Sequence, residues 1–253
     1  MDALRKLGRG VTSAPMAAPG DEPRPLPLDY DRNPDRFRTG RAVTNEFGLR
    51  GDVHAPVAQR LIAEAATPVL DIGCGDGALA RLLSSTGQVK CVGVDLSRTL
   101  VRHAPQPVVL GDAARLPFLS ASFEAAVALY MLYHLADPLL AIAEAQRVLR
   151  VGGLFVAAAP SRHDSPELQK LLSKEPLATF DAESGPALIA DAFGNVDVQT
   201  WDGPYLQLPN SGALRRYLIG RGRTPSEAES AISCFTYPLT LTKRGAVIFS
   251  RKL

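Results

Sequence analysis

At 253 residues the chain suits one large α/β domain, or one domain with an inserted cap. A 46% hydrophobic and 21% charged composition is that of an ordinary globular protein, and a net charge of +2 supplies no strong field for nucleic acid or an anionic membrane. Cys74, Cys91 and Cys234 are odd in number and form no CxxC pair, which argues against a disulfide framework and a metal site and for a reducing cytoplasm.

The chain opens with Arg5, Lys6 and Arg9 but no apolar h-region follows, so a signal peptide is not expected. No apolar run approaches the roughly 20 residues that span a bilayer. Pro15, Pro19, Pro23, Pro25 and Pro27 make residues 1–28 a mobile or polyproline-like lead-in, leaving 29–253 as a single domain. A helix is expected from Pro56 to Ala66, then a buried strand Val69-Leu70-Asp71-Ile72, then a helix from Gly77 to Ser84 stopped by Gly87. Cys91–Asp95 reads as the second strand, with Ser97 capping a helix after it. Val108–Leu110 and Ala125–Tyr130 are the next strands, Pro138–Leu149 an amphipathic helix, and Gly152–Gly153 a turn into a strand at Leu154–Ala158. Beyond them come a helix at Gly185–Phe193, strands at Val196–Trp201 and Ala246–Ser250, and two helical pieces within Asn210–Cys234. Those pieces form a cap insertion at about 203–236. Apolar strands alternating with helices imply a doubly wound, Rossmann-like α/β fold, its parallel sheet covered on both faces.

The strongest chemical signal is Asp71-Ile72-Gly73-Cys74-Gly75-Asp76-Gly77-Ala78, between a strand and a helix. Glycines there permit positive φ and close approach of a ligand to the backbone. The loop also satisfies the loose dinucleotide fingerprint, and Asp95 at the end of the second strand suits the ribose of either a dinucleotide or another nucleoside. Charge separates the two. Asp71 and Asp76 would each repel a pyrophosphate by about 1 kcal/mol or more, whereas a cationic ligand would be attracted. Asp76 is alternatively a helix N-cap, and Asp112 alternatively a turn residue, but Asp71, Asp95 and Asp112 share the carboxyl edge of the strands, where open sheets bind ligands.

Four segments together resemble the class I S-adenosylmethionine-dependent methyltransferases, in particular the methyltransferase type 11 group. They are Val69–Gly77, Val92–Ser97, Gly111–Phe118 and Arg147–Phe155. The resemblance implies seven strands with an antiparallel last one, S-adenosylmethionine as cofactor, and S-adenosylhomocysteine as product. It also implies that Asp71, Gly73 and Gly75 line the methionine portion, that Asp95 with Leu96 takes the ribose, and that Asp112 and the Ala113 amide meet the adenine. The family's Phe-Asp before the fourth strand is Phe123-Glu124 here, and its Leu-His-His-Leu reads Leu132-Tyr133-His134-Leu135, with Tyr133 in place of the first histidine.

Methyl transfer from a sulfonium is an in-line displacement that rests on positioning and needs a base only where the nucleophile must lose a proton. His134, just past the fourth strand, is the candidate base, or else a turn-capping histidine. Tyr130 and Tyr133 either wall the site or pack in the core. His54 and His163 read as structural or exposed. Residues 30–50, rich in arginine (Arg32, Arg36, Arg38, Arg41, Arg50), would fold over the cofactor by the resemblance, making Tyr30, Arg38 and Asn45 substrate candidates, or else present solvated charges. Tyr205 and Arg216 are the candidates from the cap, where Arg215, Arg216, Arg221 and Arg223 around Tyr217 also suggest an RNA-contacting face. The expected function is methyl transfer to a small molecule. The rivals are an RNA or protein methyltransferase, a non-catalytic binding module, and a nicotinamide oxidoreductase.

Overall fold

The computed structural model describes residues 30–31, 33–172 and 179–253; the proline-rich lead-in and Arg32 lie outside the described residues. In chain order the main elements are α1 (Pro34–Phe47), α2 (His54–Ala63), β1 (Val69–Ile72), α3 (Ala78–Ser84), β2 (Cys91–Asp95), α4 (Arg98–Val101), β3 (Val108–Leu110) and β4 (Phe123–Leu129). They continue with α5 (Pro138–Val148), β5 (Leu149–Pro160), α6 (Gly185–Phe193), β6 (Val196–Leu208), α7 (Ser211–Gly220), α8 (Pro225–Ile232) and β7 (Leu239–Arg251). One seven-stranded sheet has the order β3-β2-β1-β4-β5-β7-β6. Neighbours among β1 to β5 run parallel, and β7 runs antiparallel to both β5 and β6.

Side chains alternating along each strand feed two cores. Ala125, Val127 and Leu129 of β4 join Leu61, Leu79 and Leu83 on one face, while Ala126 and Ala128 join Ile142, Phe155 and Phe193 on the other. The Phe155 and Phe193 rings stack with centroids 4.8 Å apart. Strand order reverses between β1 and β4, and Asp71 pairs in register with both Gly93 and Val127. The carboxyl ends of β1, β2 and β4 therefore open side by side at the switch point, where a crevice forms.

Two expected breaks are continuous strand. Gly152, at φ +78°, and Gly153 lie inside β5, whose pairing to β4 shifts register between Phe123 and Ala125; the glycines absorb an irregularity and do not end the strand. Gly203-Pro204 likewise lies within β6, because an outermost strand tolerates proline and the β6–β7 pairing resumes at Leu206 after its own irregularity. The arginine-rich segment, for which no element was expected, is largely α1. It crosses α7 closely: a Cβ on Gly220 would stand 2.6 Å from Gly40 Cα. Val43, Leu206, Leu214, Tyr217 and Leu241 form a third core beneath that crossing.

Ser97 begins α4 as anticipated, accepting from the Leu100 N–H at 3.2 Å and donating to Asp31 at 2.6 Å. Asp31 also accepts from the Thr99 N–H at 2.9 Å, so the start of the described chain is fastened to the end of β2. Ser97→Ala is expected to lower stability by about 1 kcal/mol, read from the urea midpoint at unchanged slope.

Candidate functional site at the carboxyl edge of the sheet

The loop after β1 turns through Gly73 at φ +68°, Gly75 at +56° and Gly77 at +84°. At Gly73 a side chain is excluded twice, by the backbone conformation and by Met131, whose Cβ would be 2.7 Å from an added Cβ. The Gly73 and Cys74 N–H groups both donate to the Val94 carbonyl, which straps the loop to β2. Asp95 then organises the adjoining edge: Oδ2 accepts from the Gly75 N–H and Oδ1 from the Ser97 N–H, each at 2.8 Å. Burial nevertheless raises its pKa, against those hydrogen bonds.

These residues edge a cavity of about 690 Å³. Gly73, Gly75, Asp95, Leu96, Asp112, Ala113, Tyr130, His134 and Tyr30 all line it. Asp71 does not. It is 4% exposed, with no hydrogen-bond partner for its carboxylate among the described residues. Burial pushes its pKa up to about 7, which His54 partly opposes and the Asp95 charge reinforces.

Asp112 Oδ1 accepts from the Ala114 N–H at 2.9 Å. The loop beyond it is held from α5. Arg147 donates to the Leu116 and Phe118 carbonyls at 3.1 and 2.8 Å, and Glu144 accepts from the Leu116 N–H at 2.7 Å. The arginine that opens the fourth sequence segment therefore positions the third. Asp76 neither caps a helix nor faces the cavity as an unmatched charge. Gly77 occupies the N-cap, and the Asp76 carboxylate is paired with both Arg41 and Arg81.

Tyr130 follows β4 at φ +56°, a left-handed conformation that costs about 1–3 kcal/mol in a residue with a side chain and tends to persist at functional sites. Its ring centroid lies 6.3 Å from that of His54. His54 is the residue the sequence reading set aside. It starts α2, lines the cavity, and its Nδ1 lies 2.9 Å from Asp52 Oδ2, while Asp52 Oδ1 accepts the His54 backbone N–H at 3.0 Å. Burial would raise the Asp52 pKa, but the hydrogen bonds and charge of His54, with the Arg41 charge, bring it below the usual carboxylate range. The Asp52-Val53-His54 run ahead of Pro56 carried the signal. A helix leading into β1 begins at the sheet edge where β1 ends, which places its first residues at the crevice.

His134 lies in a single 3₁₀ turn, Leu132–His134. Enclosure by surrounding protein, with the Arg221 and Arg36 charges, lowers its pKa to about 4, although one side of the residue stays open to solvent. Tyr133 is outside the cavity wall, packed on the core with its ring 4.1 Å from that of His134.

The substrate candidates separate. Tyr30 meets the cavity and packs on Phe37, which covers Gly75. Asn45 and Tyr205 line an adjoining hollow of about 480 Å³. Arg38 turns outward to Asp35 at 3.4 Å and His103 at 2.9 Å, and Arg216 pairs with Glu46 at 2.8 Å, and neither lines the main cavity or the adjoining hollow. Nor do the cap arginines surround an open aromatic: Arg215 pairs with Glu229, and Tyr217 is buried and bonded to Lys243. Among the described residues no helix is long and apolar enough to cross a membrane, and no group of three or more His, Cys, Asp or Glu side chains is placed to hold a metal.

Residues 70–157 match the family model described as a methyltransferase domain. A probable S-adenosylmethionine-dependent methyltransferase of Mycolicibacterium smegmatis is 34% identical over 149 residues, 56% of this chain and 56% of that one. A malonyl-[acyl-carrier protein] O-methyltransferase of Herminiimonas arsenicoxydans is 41% identical over 132 residues, 49% of this chain and 50% of that one. The matches span between 32% and 60% of the length of these curated relatives. In fold the chain is similar to the YcgJ protein of Bacillus subtilis, with a TM-score of 0.57, 23% identity, and coverage of 77% of this chain and 97% of that one.

Proposed function

We propose that the protein is an S-adenosylmethionine-dependent methyltransferase that transfers a methyl group to a small-molecule acceptor, a reading supported by the match of residues 70–157 to a methyltransferase-domain model and by the relatives described above. The observation that carries this reading is the acidic glycine-loop edge: Asp95 bonded to the Gly75 N–H and Asp112 both line the cavity, with Asp71 buried behind its wall. Carboxylates at and behind that wall favour a ligand ammonium or sulfonium by charge and would oppose a pyrophosphate. The site's residues fit the cofactor on those grounds. Asp95 would hold the ribose hydroxyls with Leu96 beside it, and Asp112 with the Ala113 amide would hold the adenine. Gly73 and Gly75 would let the methionine portion lie against the backbone. When bound, S-adenosylmethionine supplies an electrophilic methyl group on a positively charged sulfur.

The rest is the work of the chain's own residues. Tyr30 and Phe37, tied down through Asp31, cover the glycine loop and exclude water from it. Tyr130 and Met131 wall the cavity and restrict how an acceptor can lie there. For a nucleophile that must lose a proton, His54 is the better-built acceptor of it. The ionised Asp52 only accepts hydrogen bonds, so His54 would carry its hydrogen on Nδ1, which leaves Nε2 as the ring's proton acceptor. His134, with a pKa of about 4, holds a proton weakly at neutral pH and better serves as a wall. The paired cap arginines and the buried Tyr217 favour a small acceptor over RNA.

The test is thermal unfolding with S-adenosylhomocysteine or NAD at matched concentrations. Protection by S-adenosylhomocysteine alone is expected, since a ligand of the native state stabilises it by mass action. Protection by NAD alone would end this reading.

A further inference from the structure

The hollow beside the main cavity has a charge pattern that cofactor binding leaves unused. Its walls carry Arg41, Arg50 and Arg81 against Asp52. Arg41 and Arg81 converge on Asp76, and Asp52 is engaged by His54. Three guanidiniums thus stand against two carboxylates. The positive charge left over is on Arg50, which makes no hydrogen bond or ion pair with any described residue.

Arg50 is exposed, but the backbone that presents it is fixed. Gly48 bridges to Leu206 on β6, and the Leu49 N–H donates to the Tyr205 carbonyl at 2.7 Å, which fixes the backbone leading to it. A Cβ on Gly203 would stand 3.1 Å from Arg50 Nη2, so that glycine leaves room for the guanidinium. Two neutral donors line the same hollow. Asn45 offers its amide, and Tyr205 its hydroxyl, whose pKa burial, Asp52 and Tyr217 push up to about 12, so that it stays protonated and able to donate. Arg41, Asp52, His54 and Ala78 line both spaces and form the threshold between them.

We infer that this hollow is an anion subsite for the acceptor, in which Arg50, Tyr205 and Asn45 take the carboxylate or phosphate of a small molecule whose other end reaches the main cavity past His54. A planar guanidinium fork matches either anion with paired hydrogen bonds, and a neutral or cationic molecule leaves that fork unanswered. That the ligand is a methyl acceptor rests on the function proposed above. That the hollow binds an anion rests on its own side chains.

Calorimetry on the full chain saturated with S-adenosylhomocysteine tests the subsite with benzoate, phenyl phosphate and neutral benzamide as probes. In the parent protein both anions should bind more tightly than benzamide, and their relative affinity reports which anion is preferred. Arg50→Gln should weaken the anions about tenfold and leave benzamide unchanged, while Arg50→Lys retains part of the difference. Equal binding of all three probes, no binding of either anion, or anion affinity unaltered by Arg50→Gln would overturn the assignment. S-adenosylhomocysteine affinity is measured first. Its loss in the parent protein would remove the methyl-transfer reading, and the same titrations on cofactor-free protein would still decide the subsite.

Discussion

Asp95→Ala should reduce S-adenosylhomocysteine affinity by about a hundredfold, which corresponds to about 3 kcal/mol for two hydrogen bonds to a charged acceptor. Calorimetry at constant pH reads it. The carboxylate is already oriented by the Gly75 and Ser97 N–H groups, so both oxygens are held in place before any ligand arrives. The preorganisation that makes Asp95 effective in binding is of little use to the fold. Burial raises the Asp95 pKa, so its ionised form is less comfortable in the folded chain than in the unfolded one. The cofactor-free variant should therefore unfold within a few degrees of the parent. A variant that bound S-adenosylhomocysteine as tightly as the parent would remove the ribose assignment. One that lost binding only because it failed to fold would show the same loss of native circular dichroism without ligand. Asp95→Asn separates the charge from the shape, and should fall between the two.

The first half of the sheet was legible because each of its strands β1 to β3 is a short apolar run closed by glycine or aspartate. Val69–Ile72, Cys91–Asp95 and Val108–Leu110 needed no tertiary information to be placed, and the carboxylates ending two of them marked the ligand edge. What escaped notice depends on contacts between distant segments. The extra length of β6 and β7 exists only because the two strands pair beyond the sheet, and Gly203-Pro204 reads locally as a break. The fate of Asp76 was equally hidden, since one of its partners, Arg41, lies 35 residues earlier on α1. His54 could have been found. Asp52 two residues before it, and a helix start facing the end of β1, were both present in the sequence, but a lone histidine is outweighed by one beside a recognised motif. Tyr133, Arg38 and Arg216 line neither cavity, because sequence position alone does not say which way a side chain turns.

Asp71→Asn should make the protein more stable at pH 8, and the gain should vanish in acid. A buried carboxyl with no hydrogen-bond donor holds its proton more tightly folded than unfolded, with a pKa of about 7 against 3.8. Between those values the native state binds more protons than the unfolded chain, so stability falls as pH rises through the window and is fully retained only below its lower end. The loss above pH 7 is on the order of 4 kcal/mol for a shift of that size. An uncharged amide escapes it but leaves its own polar atoms underbonded, at about 1–3 kcal/mol, so the net gain at pH 8 should be smaller than the full loss. Asp31, Asp52 and Asp181, whose pKa values are lowered, add a slope of opposite sign to both proteins, so the informative quantity is the variant-minus-parent difference from urea unfolding between pH 4.5 and 8. A difference flat across that range would mean that Asp71 is not held in the protonated form by burial. Saturation with S-adenosylhomocysteine gives the complementary result. A ligand cation in the cavity in front of Asp71 favours its ionised form through charge, so the parent should bind more tightly as pH rises through the same window, and Asp71→Asn should lose that dependence. Identical pH profiles in the two proteins would place the cation elsewhere, and would leave the buried charge a cost to the fold that binding does not recover.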